Sequence, residues 1–264
     1  MPILSERGYL IPALNSDTVD YVDCAQALAH SIRKWHPNVK IAVMTLNRCS
    51  DSVFDYVIPL PHGDQNTTSN KQINDWQCFA ASPFRQTIKL EADMILTSPF
   101  DHWWSMFEHR DVVVSQGCRD FYNQPAASRF YRRVFDANNL PDVYNAVTYW
   151  RLSKTAQQFF QLVRDIFENW TQYQTLLRFP DDEATTDLVY AMAVQILGQE
   201  ICTLPGSPNI VHMKQHIVGT HTSNWTNELV WEDNDPGLRL NTVAQWGLVH
   251  YHIKDWISNE SRDH

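Results

Sequence analysis

The 264-residue sequence has no Cys-x-x-Cys pair, and its five cysteines (24, 49, 78, 118 and 202) are scattered along the chain. That argues against a zinc knuckle and a disulfide framework, and favours a reducing compartment. No apolar run approaches the roughly eighteen residues of a membrane span, and no charged segment followed by an apolar one opens the chain. A cytoplasmic protein with no membrane partner is therefore expected. Cations are in deficit, 21 Lys and Arg against 30 Asp and Glu, for a net charge of -9. General attraction to nucleic acid or anionic lipid is not expected, which leaves room only for a local basic groove. No glycine-rich phosphate loop follows the first strand, so the dinucleotide-binding Rossmann and P-loop readings lose their main support. Internal repeats and low-complexity segments are absent too.

Apolar material is plentiful. Residues are 44% hydrophobic, with 10 Trp, 10 Tyr and 12 Phe, enough for a full core and contrary to disorder. Strand and helix alternate from the start. Residues 9–14 read as a strand, and Asn15, Ser16 and Asp17 supply capping chemistry for a helix. Val22, Ala25, Leu28 or Ala29, Ile32 and Trp35 form one apolar face, which Pro37 ends. Residues 40–46 and 53–60 read as further strands, so the opening is β-α-β with parallel strands. A helix is expected over 71–81. Asp101 would cap an aromatic helix holding Trp103 and Trp104, and Ser153 would cap a helix with a continuous stripe from Ala156 to Trp170. Residues 143–150 read as a strand. A helix is expected over about 185–197, and short strands over 210–213 and 248–252.

The chain is organised around Gln86 to Leu96, where an apolar run meets Glu91 and Asp93 and a second apolar run follows. On one continuous strand, residues two apart share a face, which would direct Lys89, Glu91 and Asp93 to one side. Two carboxylates at one point suit Mg²⁺ or Mn²⁺ completed by phosphate oxygens. Lys89 would then pair with one of them.

These motifs, in their order, resemble the GT-A glycosyltransferases of the glycogenin- and galactosyltransferase-like branch called family eight. The matching pieces are Lys89-Leu90-Glu91-Ala92-Asp93-Met94, Tyr144-Asn145 before Arg151-Leu152-Ser153, and His250-Tyr251-His252-Ile253-Lys254-Asp255-Trp256. Glu91 stands where that branch has its first Asp, Ala146 and Val147 replace small Gly-containing residues, and the last segment lacks its Gly. The chain is also similar to glycosyltransferase-like proteins of tailed phages, some implicated in glycosylating hydroxymethylated DNA bases. That likeness lies in residues 90–94, 102–104, 140–145 and 211–214.

The resemblance implies an α/β, Rossmann-like GT-A domain over 1–264, with about 1–115 holding the nucleotide sugar and about 116–264 the acceptor side. It implies a nucleotide-diphosphate-sugar donor, UDP-linked by preference, with Mn²⁺ or Mg²⁺ on Asp93, Glu91 and His250, and His252 as the alternative histidine. Lys254, Lys71 and Lys89 are candidate donor contacts, as are His212 and, more weakly, Lys214. Asn145 would bind sugar hydroxyls, and Asp187 would orient the sugar or act as base. The acceptor implied is a 5-hydroxymethylpyrimidine base in DNA, with the arginine- and aromatic-rich stretch 119–133 tracking phosphates and bases. A glycan, protein or small-molecule acceptor, a non-catalytic nucleotide-sugar binder, and a metal-dependent phosphohydrolase or nucleotidyltransferase stay open.

Overall fold

The computed structural model describes residues 3–50, 52–65, 71–126, 132–213, 226, 229–231, 238–240 and 242–254. The first part of the chain runs β1 (Ser5–Pro12), α1 (Tyr21–Trp35), β2 (Lys40–Met44) and β3 (Tyr56–Ile58). A 3-10 turn (Lys71–Gln77) leads into α2 (Cys78–Ala81), β4 (Phe84–Leu90), β5 (Met94–Leu96), α3 (His102–Phe107) and β6 (Val112–Gln116). Then come α4 (Arg132–Ala137), β7 (Val143–Arg151), α5 (Lys154–Glu168), α6 (Trp170–Leu177), α7 (Thr186–Leu197) and α8 (Gln199–Cys202). Short strands finish the chain: β8 (Ile210–Met213), β9 (Leu229–Trp231), β10 (Leu238–Leu240), β11 (Val243–Gln245) and β12 (Leu248–Tyr251). Among the described residues no helix is long and apolar enough to cross a membrane.

The main sheet has the order β3-β2-β1-β4-β7-β6. Its first four strands are parallel, and β7 runs antiparallel between β4 and β6. Strand periodicity sorts apolar side chains to two faces. Tyr9 and Ile11 of β1 with Ile41 and Val43 of β2 meet Val22, Leu28 and Ile32 of α1. Leu10, Ala42 and Met44 turn to the other face, against Phe159 and Val163 of α5 and Tyr190 and Val194 of α7. Emptying one such site, as in Phe159→Ala, costs about 3–5 kcal/mol. Gly8 is required where β1 lies between β2 and β4, since a Cβ there would press on the Phe84 ring and come 2.7 Å from the Lys40 carbonyl oxygen.

Helix termini follow local chemistry, with some shifts from expectation. The α1 cap is Asp20, whose carboxylate accepts from the Val22 and Asp23 N–H groups. Ser16 is occupied in its own turn, accepting from Thr18 and Val19, while Asn15 still reaches the helix through the Val22 N–H. Ser153 and Thr185 cap α5 and α7 through the Ala156 and Leu188 N–H groups. The stripe expected to run unbroken to Trp170 is split at Asn169, and Trp170 starts α6. Asp101 makes no side-chain cap bond and instead pairs with His36 Nδ1 at 3.1 Å.

The largest departure falls at the organising stretch. β4 ends at Leu90 and β5 begins at Met94, and the two belong to different sheets. β5, β12 and β8 form a three-stranded sheet, with β12 antiparallel to β5 and parallel to β8. α1 anchors β5: Ser31 Oγ accepts from Leu96 N–H at 2.9 Å, and Trp35 Nε1–H donates to the Leu96 carbonyl at 3.2 Å. Residues 91–93 are therefore a link between sheets, not part of one strand, so face-sharing by strand period does not apply to them. A third sheet joins β11, β10 and β9.

Candidate active site

A cleft of about 400 Å³ opens at this link. Pro12 and Met44, the last residues of β1 and β2, line it together with Glu91 and Asp93, which follow the end of β4. It thus lies outside the carboxyl ends of the parallel strands, where open α/β sheets bind ligands. Its volume suits a small molecule. The far wall comes from later in the chain: Tyr144, Asp187, His212, His250, His252 and Lys254.

Register gathers these distant residues. His250 of β12 is opposite Met94 of β5 and opposite His212 of β8. His250 Nε2 lies 3.2 Å from Asp93 Oδ2 and 3.5 Å from Glu91 Oε2. Lys254 Nζ contacts Asp93 Oδ2 and donates to the Tyr251 carbonyl at 2.7 Å. The other imidazole nitrogen, His250 Nδ1, meets the Tyr144 hydroxyl, which also lies 2.5 Å from His212 Nδ1. Tyr144 thereby fixes the orientation of both rings. Burial pushes its hydroxyl well above the usual tyrosine range, so it stays protonated.

The two carboxyls respond differently to one environment. Burial raises both. On Asp93 it is outweighed by His250 and Lys254, which hold that carboxyl well below the usual range. Glu91 has His250 but also the Asp93 charge beside it, and its carboxyl is pushed up to about 7. For His250, burial disfavours the charged form, and Asp93 and Glu91 reverse the balance and raise its pKa.

One ligand atom each from Glu91, Asp93 and His250 lie within 4.8 Å of one another. Ligands about 2.1 Å from one small divalent ion can be at most about 4.2 Å apart, so modest closure would suffice. Two hard oxygens and one neutral imidazole suit Mn²⁺ or Mg²⁺, the imidazole favouring Mn²⁺.

Two expected site residues are turned away from the cleft. Lys89 has no exposed surface and pairs with neither Glu91 nor Asp93: its Nζ lies 2.9 Å from both carboxylate oxygens of Asp75. Because β4 ends one residue later, Lys89 stays on the α7 side, where burial opposes its charge and Asp75 more than restores it. Asn145 is equally buried. Its Nδ2 faces Asp75 Oδ2 at 3.4 Å, and its Oδ1 accepts from Thr148 Oγ1 at 2.6 Å, which leaves it a supporting rather than a sugar-facing position.

Asp187 lines the cleft from the first turn of α7, and its Oδ1 accepts from the Asn145 N–H at 2.7 Å. Lys71 also lines the cleft and pairs with Asp64 at 2.5 Å. Lys214 lies outside the described residues, as do 127–131 of the basic stretch.

Sequence reasoning missed Asp75 and Tyr144. Asp75 is nearly buried, lines the cleft, and takes Lys89 and the Tyr190 hydroxyl. Its signal was Lys89 itself, since a lysine inside an apolar strand demands a carboxylate partner. Tyr144 reads as one more aromatic strand residue, and only the β8–β12 register reveals what it bridges.

No family model matches the sequence, and no curated protein matches it. Solved structures do share the architecture, which is that of the GT-A glycosyltransferases. A galactosyltransferase, LgtC, bound to donor and acceptor sugar analogues is 11% identical at TM-score 0.54, covering 97% of this chain and 93% of its own. An active-site mutant of LgtC is 12% identical at TM-score 0.51, covering 92% of this chain and 86% of its own. The bifunctional glycosyltransferase WbbM is 11% identical at TM-score 0.50, covering 94% of this chain but 46% of its own.

Proposed function

We propose that this protein is a metal-dependent glycosyltransferase that moves a sugar from a nucleotide-diphosphate donor, UDP-linked by preference, to a hydroxyl. What supports the reading is the meeting of Glu91, Asp93, His250 and Lys254 at the carboxyl edge of a GT-A-type parallel sheet. In the transfer the anomeric carbon exchanges its diphosphate oxygen for the acceptor oxygen, so negative charge builds on the leaving diphosphate. Glu91, Asp93 and His250 would hold Mn²⁺ or Mg²⁺, which supplies Lewis-acid neutralisation of that charge. Lys254, already at the Asp93 carboxylate, would move onto the diphosphate as its charge grows. Lys71 and His212 face the same space and would contact the donor. Asp187, held by the Asn145 N–H, would orient the sugar or take the acceptor proton. Asp75, Lys89 and Asn145 would support this wall from behind.

In this reading residues 1–115 supply the donor half and 116–264 the acceptor half of one domain working in the cytoplasm. For the acceptor we infer a 5-hydroxymethylpyrimidine base in DNA. The phage resemblance supports it, as does the position of the basic stretch. Arg119, at its start, hydrogen-bonds by its main chain to Ile210 and His212 of β8, beside the cleft.

The test is mass spectrometry of nucleosides from hydroxymethylcytosine-containing DNA incubated with the protein, Mn²⁺ and a panel of nucleotide sugars. A hexose- or pentose-sized gain seen with wild type and not with Asp93→Ala is expected. Asp93-dependent donor hydrolysis without a gain would remove the DNA acceptor and leave the transferase. Tight donor binding with neither would leave only a nucleotide-sugar binder.

A further inference from the structure

Tyr144 meets two histidines with one hydroxyl, and a hydroxyl has one proton. The tyrosine comes from β7, at the irregularity in the β6–β7 register. There Ser115 Oγ donates to the Tyr144 carbonyl and accepts from the Val147 N–H at 3.3 Å. His250 and His212 are register partners on the parallel strands β12 and β8, so both rings rise from one face of that small sheet. The Tyr144 ring centroid lies 5.4 Å from that of His212 and 5.6 Å from that of His250. Its oxygen meets Nδ1 of each ring, 2.5 Å away in His212. Tyr144 and His250 are both buried.

Two proton arrangements satisfy both contacts. The hydroxyl donates to one Nδ1, and the other Nδ1 carries hydrogen and donates to the oxygen. His250 decides between them. Its Nε2 faces Asp93 and Glu91, and a neutral imidazole that ligates through Nε2 keeps its hydrogen on Nδ1. The hydrogen bonds then run from His250 through Tyr144 to His212, and a neutral His212 has its hydrogen on Nε2. We infer that Tyr144 and His212 are positioning residues for the carboxylate centre: one hydroxyl proton, committed to His212, holds the Nε2 lone pair of His250 on the side of Glu91 and Asp93. The inference rests on the metal reading above. A phenylalanine at 144 would pack as well, and only the hydroxyl passes this constraint between the two rings. His212 is thereby no ligand. Its Nδ1 accepts from Tyr144, and its Nε2–H suits the diphosphate contact given to it above.

The experiment uses the full chain without a tag. Mn²⁺ affinity is read by electron paramagnetic resonance of the free ion. Imidazole tautomers are read by nitrogen NMR of histidine-labelled protein with Mg²⁺, which is diamagnetic, and the His212 signals are assigned by their loss in His212→Asn. In the Mg²⁺-loaded protein His212 should carry hydrogen on Nε2 and none on Nδ1. Tyr144→Phe keeps the ring and should weaken Mn²⁺ by about 10-fold or more. His212→Leu should do the same, whereas His212→Asn, whose carbonyl can accept in place of Nδ1, should stay within about 3-fold of wild type. The spectra and the His212 pair do not depend on the Tyr144 variant folding. Hydrogen on His212 Nδ1 in the Mg²⁺-loaded protein, or equal losses in His212→Asn and His212→Leu, would overturn the inference. So would Mn²⁺ affinity lost with Asp93→Asn and unchanged with Tyr144→Phe, which leaves the carboxylate centre standing. Mn²⁺ affinity indifferent to Asp93→Asn would overturn the carboxylate centre and the inference together.

Discussion

Two charged clusters hang on the same few residues of chain, Lys89 at the end of β4 and Glu91 to Asp93 just beyond it. The Lys89 cluster is closed. One ammonium faces both oxygens of one carboxylate, and Tyr190 and Asn145 fill the remaining positions around Asp75. The Glu91–Asp93 cluster is open. Two carboxyls share one imidazole nitrogen, of the two Lys254 contacts Asp93 alone, and burial together with the Asp93 charge raises the pKa of Glu91. A cluster balanced within the protein holds structure together. One in which Glu91 has, among the described residues, no cation of its own, at the mouth of a cleft, is built for something that arrives.

That contrast can be broken from either side. The largest effect is expected in the open cluster: Asp93→Asn should lower turnover at least ~1,000-fold, roughly 4 kcal/mol, by steady-state kinetics. Lys89→Met should instead act on stability. It strands the Asp75 carboxylate, and chemical denaturation should show a loss of about 3 kcal/mol. Adding Asp75→Leu should recover part of that loss, because both charges then leave together. Lys254→Ala should cost about 30-fold in kcat, roughly 2 kcal/mol, with little change in the denaturation midpoint.

The smallest effect sharpens the comparison at another closed group. His36 Nε2 accepts from the Phe100 N–H at 3.0 Å, and Nδ1 meets Asp101, an arrangement for the neutral ring. Burial lowers its pKa below 6.5, against the pull of Asp101. Above the unfolded value of about 6.5 both states are neutral and its contribution is complete. As pH falls below that, the unfolded chain takes up a proton first, and stability declines by at most about 1.4 kcal/mol per pH unit. His36→Gln should remove that part of the slope in denaturation series between pH 5 and pH 8.

Much of the frame was legible. The 3.6-residue apolar spacing of α1 and α5, and the short apolar runs at β1, β2 and β7, survive as elements because burial periodicity is a local signal. The pairing of Glu91 with Asp93 rests on strand period, which is the wrong local geometry, and the addition of His250 rests on resemblance. Strand periodicity assumed one strand through Asp93, whereas the chain changes sheets at Glu91. The same error pointed Lys89 at the carboxylates. Asn145 offered a donor and an acceptor in the sequence, and nothing local says that Thr148 and Asp75 use both. Asp75 and Tyr144 depend on contacts with residues 14 to 115 positions away, which periodicity does not carry.

The most direct measurement is nucleoside-diphosphate release from a panel of nucleotide sugars with Mn²⁺, by wild type and by Asp93→Asn. The account predicts release by the wild-type protein alone, with the sugar recovered free or on an acceptor. Release of inorganic phosphate or pyrophosphate instead, or release that Asp93→Asn leaves unchanged, would contradict it.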